Sequence, residues 1–89
     1  MNSDGNWELK IDLDIFKYLS KLPANQSEKV RNAIKNLPFN PYSGDIRKIK
    51  GEKNLWRKRI GSYRIFYEIY PEKNFIYVSW VERRTSKTY

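Results

Sequence analysis

Eighty-nine residues suffice for one domain and not for two, so residues 1–89 are read as a single domain. The chain has no cysteine and no histidine, which excludes disulfides, thiolate zinc sites, a histidine base and a Ser–His triad. Seven Tyr, four Phe and three Trp must supply the core instead, and the net charge of +8 is unevenly spread: residues 1–46 hold six basic and six acidic side chains, residues 47–89 twelve and four.

In chain order, Trp7–Ile11 alternates apolar and charged residues with the period of a half-buried strand. Asp12 is placed to cap a helix carrying Leu13, Phe16 and Leu19, with Ile15 and Leu22, at helical spacing, and Pro23 ends it. A second helix follows, capped by Asn25 or Ser27, with Val30, Ala33, Ile34 and Leu37 on one apolar face and Pro38 and Pro41 closing it. Asn40–Asp45 has loop chemistry. Strands are then expected over Ile46–Lys50, Leu55–Ile60, Tyr63–Tyr70 and Phe75–Val81, joined by short turns that make neighbours antiparallel. The fold class is therefore α+β: an N-terminal strand and a helical hairpin packed on one face of a small antiparallel sheet. Function should lie on the other face.

No apolar run approaches the ~20 residues of a membrane span, and Met1–Lys10 lacks a signal peptide's apolar stretch, so a cytoplasmic protein without membrane association is expected. A positive field concentrated on half of a small domain attracts polyanions, nucleic acid being the usual one. Arg47–Arg64 holds eight basic residues and the single acid Glu52. Period-2 geometry puts Arg57 and Arg59 on one face of their strand, and Arg64 joins them from the next. Clustered cations repel unless an anion sits among them, and arginine suits bidentate phosphate contacts. Edge-strand charge against aggregation accounts for a lysine or two, but not for three arginines on one face. Lys58 shares a face with Trp56, so either it snorkels at a sheet edge or the register slips there. The four glycines are scattered and form no phosphate loop, and Asp12 and Asp14 read as helix-start residues, so neither metal nor cofactor is expected. Any catalysis must run on Arg, Lys, Tyr and Glu.

Lys48-Ile49-Lys50-Gly51, Leu55-Trp56-Arg57-Lys58-Arg59 and Gly61-Ser62-Tyr63-Arg64-Ile65 with Tyr67 together resemble the signature of the RelE/ParE toxin superfamily, in its RelE-like branch. The resemblance spans essentially the whole chain. It implies the helical hairpin on an antiparallel sheet, and a toxin restrained by a RelB-like antitoxin. It further implies a ribosome-dependent endonuclease that cuts mRNA in the A site by 2′-OH attack, or else a ParE-like inhibitor of DNA gyrase or an inactive RNA-binding relative. For the nuclease it implies Arg64 on the reacting phosphate, Tyr89 as general base, and Arg83 or Arg84 assisting the leaving group. Arg57 and Arg59, with Lys48, Lys50 and Lys58, would contact the RNA backbone. Where many relatives have Gly-His-Arg near the end, this chain has Glu82-Arg83-Arg84.

Overall fold

The computed structural model describes residues 7–84. Strand β1 (Glu8–Ile11) leads into the helices α1 (Leu13–Ser20) and α2 (Ala24–Lys35); β2 (Ile46–Lys48), β3 (Leu55–Ile60), β4 (Tyr63–Tyr70) and β5 (Phe75–Arg83) follow. The five strands form one sheet in the order β1-β5-β4-β3-β2. β2 to β5 pair antiparallel through successive short connections, as hairpins must, while β1 lies parallel to β5 at the opposite edge from β2.

The strand β4 organises the core. Tyr63, Ile65, Tyr67 and Ile69 alternate inward and are all buried, and they meet Ile76, Val78 and Val81 of β5. The helices close this layer with Ile15 and Leu19 of α1, Val30, Ala33 and Ile34 of α2, and Leu37 just beyond. Two tyrosines attach other segments to the sheet. The Tyr63 hydroxyl donates to Gln26 Oε1 on α2 at 2.8 Å. The Tyr67 hydroxyl, with the ring fully buried, donates to the Pro41 carbonyl at 2.9 Å and so holds down the loop after α2. Burial drives the Tyr67 phenol far above its ordinary range, so it remains a donor.

Asp12 caps α1 as its sequence suggests, its Oδ1 accepting from the Asp14 N–H at 2.9 Å, and it also ties helix to sheet: Oδ2 accepts from the Tyr77 hydroxyl at 2.8 Å. The second cap departs from expectation. α2 starts at Ala24 with Pro23 at its N-cap and no side-chain bond there, so neither Asn25 nor Ser27 caps it. Ser27 is instead buried inside the helix, its hydroxyl accepting from Arg31 Nε at 3.0 Å. Proline suits this place because it brings a preset φ and lacks the N–H that would go unpaired. β2 is two residues shorter than the expected Ile46–Lys50, and β5 runs two residues past Val81.

Two consequences are measurable. Tyr67→Phe removes only a hydroxyl but leaves the Pro41 carbonyl unpaired, so urea denaturation should show a loss of about 1–2 kcal/mol; an unchanged midpoint would mean that the carbonyl finds another partner. The backbone N–H of Asp14, and next the Tyr77 hydroxyl, hold the Asp12 carboxyl below the usual carboxylate range. A depressed folded pKa adds stability above the unfolded value, ~3.9, and that stability disappears as pH falls through the folded one. Asp12→Ala should therefore lower the Tm at pH 7, and its gap from the parent protein should close in acid; a gap independent of pH would assign the loss to packing.

Candidate nucleic-acid interface

The face of the sheet turned away from the helices follows from strand register. Its side chains form rows across the strands: Leu55, Glu68 and Tyr77; then Arg47, Arg57, Phe66 and Trp80; then Arg59, Arg64 and Glu82. Arg57, Arg59 and Arg64 thus share the open face, as alternation along β3 and β4 requires. Arg47, which the sequence reading gave no role, joins them from β2.

The register sets two arginine pairs directly opposite each other, Arg47 against Arg57 and Arg59 against Arg64. Like charges so placed on adjacent strands are destabilising, by ~0.2–1 kcal/mol a pair. Counter-charge is sparse. Asp45 reaches Arg59 Nε at 3.7 Å and Glu82 reaches Arg64 at 3.5 Å, both long and partly solvated contacts. The shielded Nε atoms of Arg57, Arg59, Arg64 and Arg84 have no hydrogen-bond partner among the described residues. Burial, then the charges of Arg59, Arg47 and Arg64, push the Arg57 guanidinium below its ordinary range, with Asp45 opposing. A guanidinium stays charged at neutral pH regardless, so the cluster is a standing site for an anion with several acceptor oxygens.

The structure separates Arg83 from Arg84. Arg83 pairs with Tyr63 and lies on the helix side, in a groove of about 570 Å³ between α1 and the outer edge of β5 that Lys17, Tyr18 and Lys21 also line. Arg84 continues the alternation to the open face, its N–H bonded to the Ser62 carbonyl. Lys58 is a correction: it faces the helices, is buried, and donates from Nζ to the Ser43 carbonyl at 3.1 Å, so it neither snorkels at an edge nor joins the arginines. Its neighbour Gly44 holds φ +89°, and a Cβ there would meet Lys58 Cε and Nζ at 3.2 Å. Burial lowers the Lys58 pKa. Lys48 pairs with Trp56, and thus also lies on the helix side, exposed at the β2 edge. Lys50 is exposed in the turn after β2. Tyr89 lies outside the described residues.

Trp80 and Glu82 are further open-face residues that received no role from sequence. The Trp80 indole N–H donates to Glu82 Oε1 at 3.1 Å, so Glu82 spans Trp80 and Arg64.

A family model described as the ParE toxin of the type II toxin–antitoxin system parDE matches residues 10–86. The chain belongs to the RelE/ParE toxin superfamily. Over 81 residues the toxin is 28% identical to a candidate RelE1 toxin of Methanocaldococcus jannaschii, covering 88% of this chain and 90% of that one. Its fold matches RelE in the archaeal RelE–RelB complex of Pyrococcus horikoshii with a TM-score of 0.79 at 23% identity, over 92% of this chain and 99% of the other. Isolated Escherichia coli RelE gives 0.74 at 19% identity, over 91% and 87%. These two structures establish the α+β fold. No helix among the described residues is long and apolar enough to cross a membrane.

The placement of Lys58 separates stability from anion binding. Lys58→Ala should cost about 1–3 kcal/mol in denaturation while leaving retention on a heparin column unchanged. Arg57→Ala should do the reverse, eluting at lower salt with stability unchanged or slightly raised. A Lys58 variant that folds normally but elutes early would return that residue to the interface.

Proposed function

We propose that this toxin is a cytoplasmic, ribosome-dependent mRNA endonuclease. The observation that supports the reading best is the pair of opposed arginine couples with unpartnered Nε atoms, an arrangement that costs stability in the free protein and suits a phosphodiester backbone. In this reading the substrate's 2′-OH attacks the adjacent phosphorus, the P–O5′ bond breaks, and a 2′,3′-cyclic phosphate and a free 5′-OH result. Arg57 and Arg59 hold the backbone, with Arg64 on the reacting phosphate, where charge grows in the transition state. Arg84, which shares the open face, is preferred over Arg83 as the arginine near the leaving oxygen. Tyr89 takes the 2′-OH proton, and the leaving O5′ takes its proton from water. A free Tyr is mostly protonated at pH 7, so cleavage of naked RNA should be slow, and the ribosome supplies the substrate geometry.

The Pyrococcus horikoshii relative was crystallised as a RelE–RelB complex and a Mycobacterium tuberculosis relative as a RelBE2 complex. By analogy, a RelB-like antitoxin restrains this toxin, and an acidic segment on the arginine face would do so directly. The ParE name of the matched family supports a second reading, in which a gyrase subunit is the target.

Mapping 5′ ends on a defined mRNA during translation tests the proposal. Cuts should require ribosomes, fall in codon register, and drop at least ~100-fold with Arg64→Ala. Tyr89→Phe then tests the base. A folded toxin that makes no cuts, yet blocks supercoiling by gyrase, would establish the second reading.

A further inference from the structure

Trp80 is 56% exposed, although it sits in a strand whose other large apolar residues are mostly covered. Its exposure comes from a specific backbone device. Along β5, Ile76 and Val78 point into the core, and plain alternation would send Trp80 after them. Instead the register shifts: Tyr67 pairs with Val78 but Phe66 pairs with Trp80, so Ser79 is an extra residue. That β-bulge turns Trp80 out to the open face and brings Val81 into the core at 4% exposure. The Ser79 hydroxyl donates to the Phe66 carbonyl at 3.4 Å beside it. Bulges re-aim side chains next to functional sites.

Three features describe what the re-aimed indole meets. Trp80 stands directly across from Phe66, and Phe66 directly across from Arg57, so two aromatic side chains continue the arginine row. Glu82 Oε1 accepts from the indole N–H at 3.1 Å, which orients the ring. β1 pairs with β5 only as far as Val78, so among the described residues no strand flanks Trp80 on its outer side. An exposed aromatic, with a half-buried one behind it, beside a cationic track matches the demands of a single-stranded nucleic acid, whose phosphates need the cations and whose unstacked bases need a flat apolar surface.

We propose that Trp80, backed by Phe66, is a nucleobase-stacking subsite for single-stranded RNA, adjoining the arginines that hold the backbone. It deepens the nuclease reading and rests on it for the nature of the ligand. Stacking is tolerant of sequence, so the shelf adds affinity at one nucleotide position and favours purines over pyrimidines there through larger overlap.

The test uses the full toxin labelled with ¹⁵N and a short 2′-O-methyl RNA, which cannot be cleaved, alongside the same backbone with an abasic unit at successive positions. The chain has three tryptophans, so three indole N–H signals are expected, and Trp80→Phe assigns the one that matters. The base-bearing RNA should shift the Trp80 signal upfield, and the abasic analogue at one position should not. Trp80→Ala should weaken binding about 5- to 100-fold and abolish the difference between base and abasic unit, with Trp80→Phe retaining part of it. Arg57→Gln should weaken both ligands equally. An unmoved Trp80 signal while RNA binds, or a base preference that survives Trp80→Ala, would overturn the subsite. So would a Trp80 signal that responds only to a protein partner. Because the ligand is uncleavable, a failed cleavage assay refutes the nuclease reading without touching this result.

Discussion

The strict alternation of β4, with neighbours on both sides and helices over one face, constrains everything else in this molecule. Tyr63, Ile65, Tyr67 and Ile69 are each at most 3% exposed, and each is packed by β3 or β5 laterally and by the helical layer above. Slipping β4 by one residue would put Arg64, Phe66 and Glu68 under the helices, at the cost of burying two charged groups. The inward set therefore determines the outward one. Because β3 is locked to β4 through six consecutive pairs, Arg57 and Arg59 have no freedom to face elsewhere.

What the core dictates, the open face must then tolerate. Opposed guanidinium groups lose a little energy at each pair, and Asp45 and Glu82 recover only part of it at 3.7 and 3.5 Å. A surface selected for stability alone would interleave opposite charges across these strands. Here the acids of the open face sit at its margins: Asp45 beside Arg59, Glu82 on β5, and Glu68, which accepts from the Tyr70 hydroxyl at the end away from Arg59 and Arg64. The result is a divided face, cationic on β2, β3 and the start of β4, with the aromatic side chains Phe66, Tyr77 and Trp80 toward β5.

Much of this was legible in the sequence because β3 and β4 obey period 2 without interruption. Their boundaries fall where the sequence places them, and the shared face of Arg57, Arg59 and Arg64 follows from counting. Lys58 alternates correctly onto the Trp56 side; what counting could not show is that a loop carbonyl waits there to accept its amine. The parallel pairing of β1 with β5 was hidden because no local signal links segments some 67 residues apart; Glu8 finds Phe75 only through the tertiary fold. The bulge at Ser79 was hidden as well. Phe75–Val81 is nearly continuously apolar, so neither face stands out, and no glycine marks the extra residue. Trp80 consequently received no role of its own. The choice between Arg83 and Arg84 depends on the same register shift, since one inserted residue exchanges the faces of everything after it.

The assignment of function to the open face is tested most directly by the salt dependence of single-stranded RNA binding. Two triple variants remove equal charge: Arg57, Arg59 and Arg64 changed to Gln, and the exposed residues Lys21, Lys29 and Lys35 of the helical layer changed to Gln. Each phosphate contact adds about 0.7 to the slope of log affinity against log salt for a single strand. The open-face triple should lower that slope by about 2, and the helix-side triple should leave it nearly unchanged. Equal losses in both would mean that only net charge matters. A larger loss from the helix side would place the interface on the wrong face of the sheet and contradict the account built on β4.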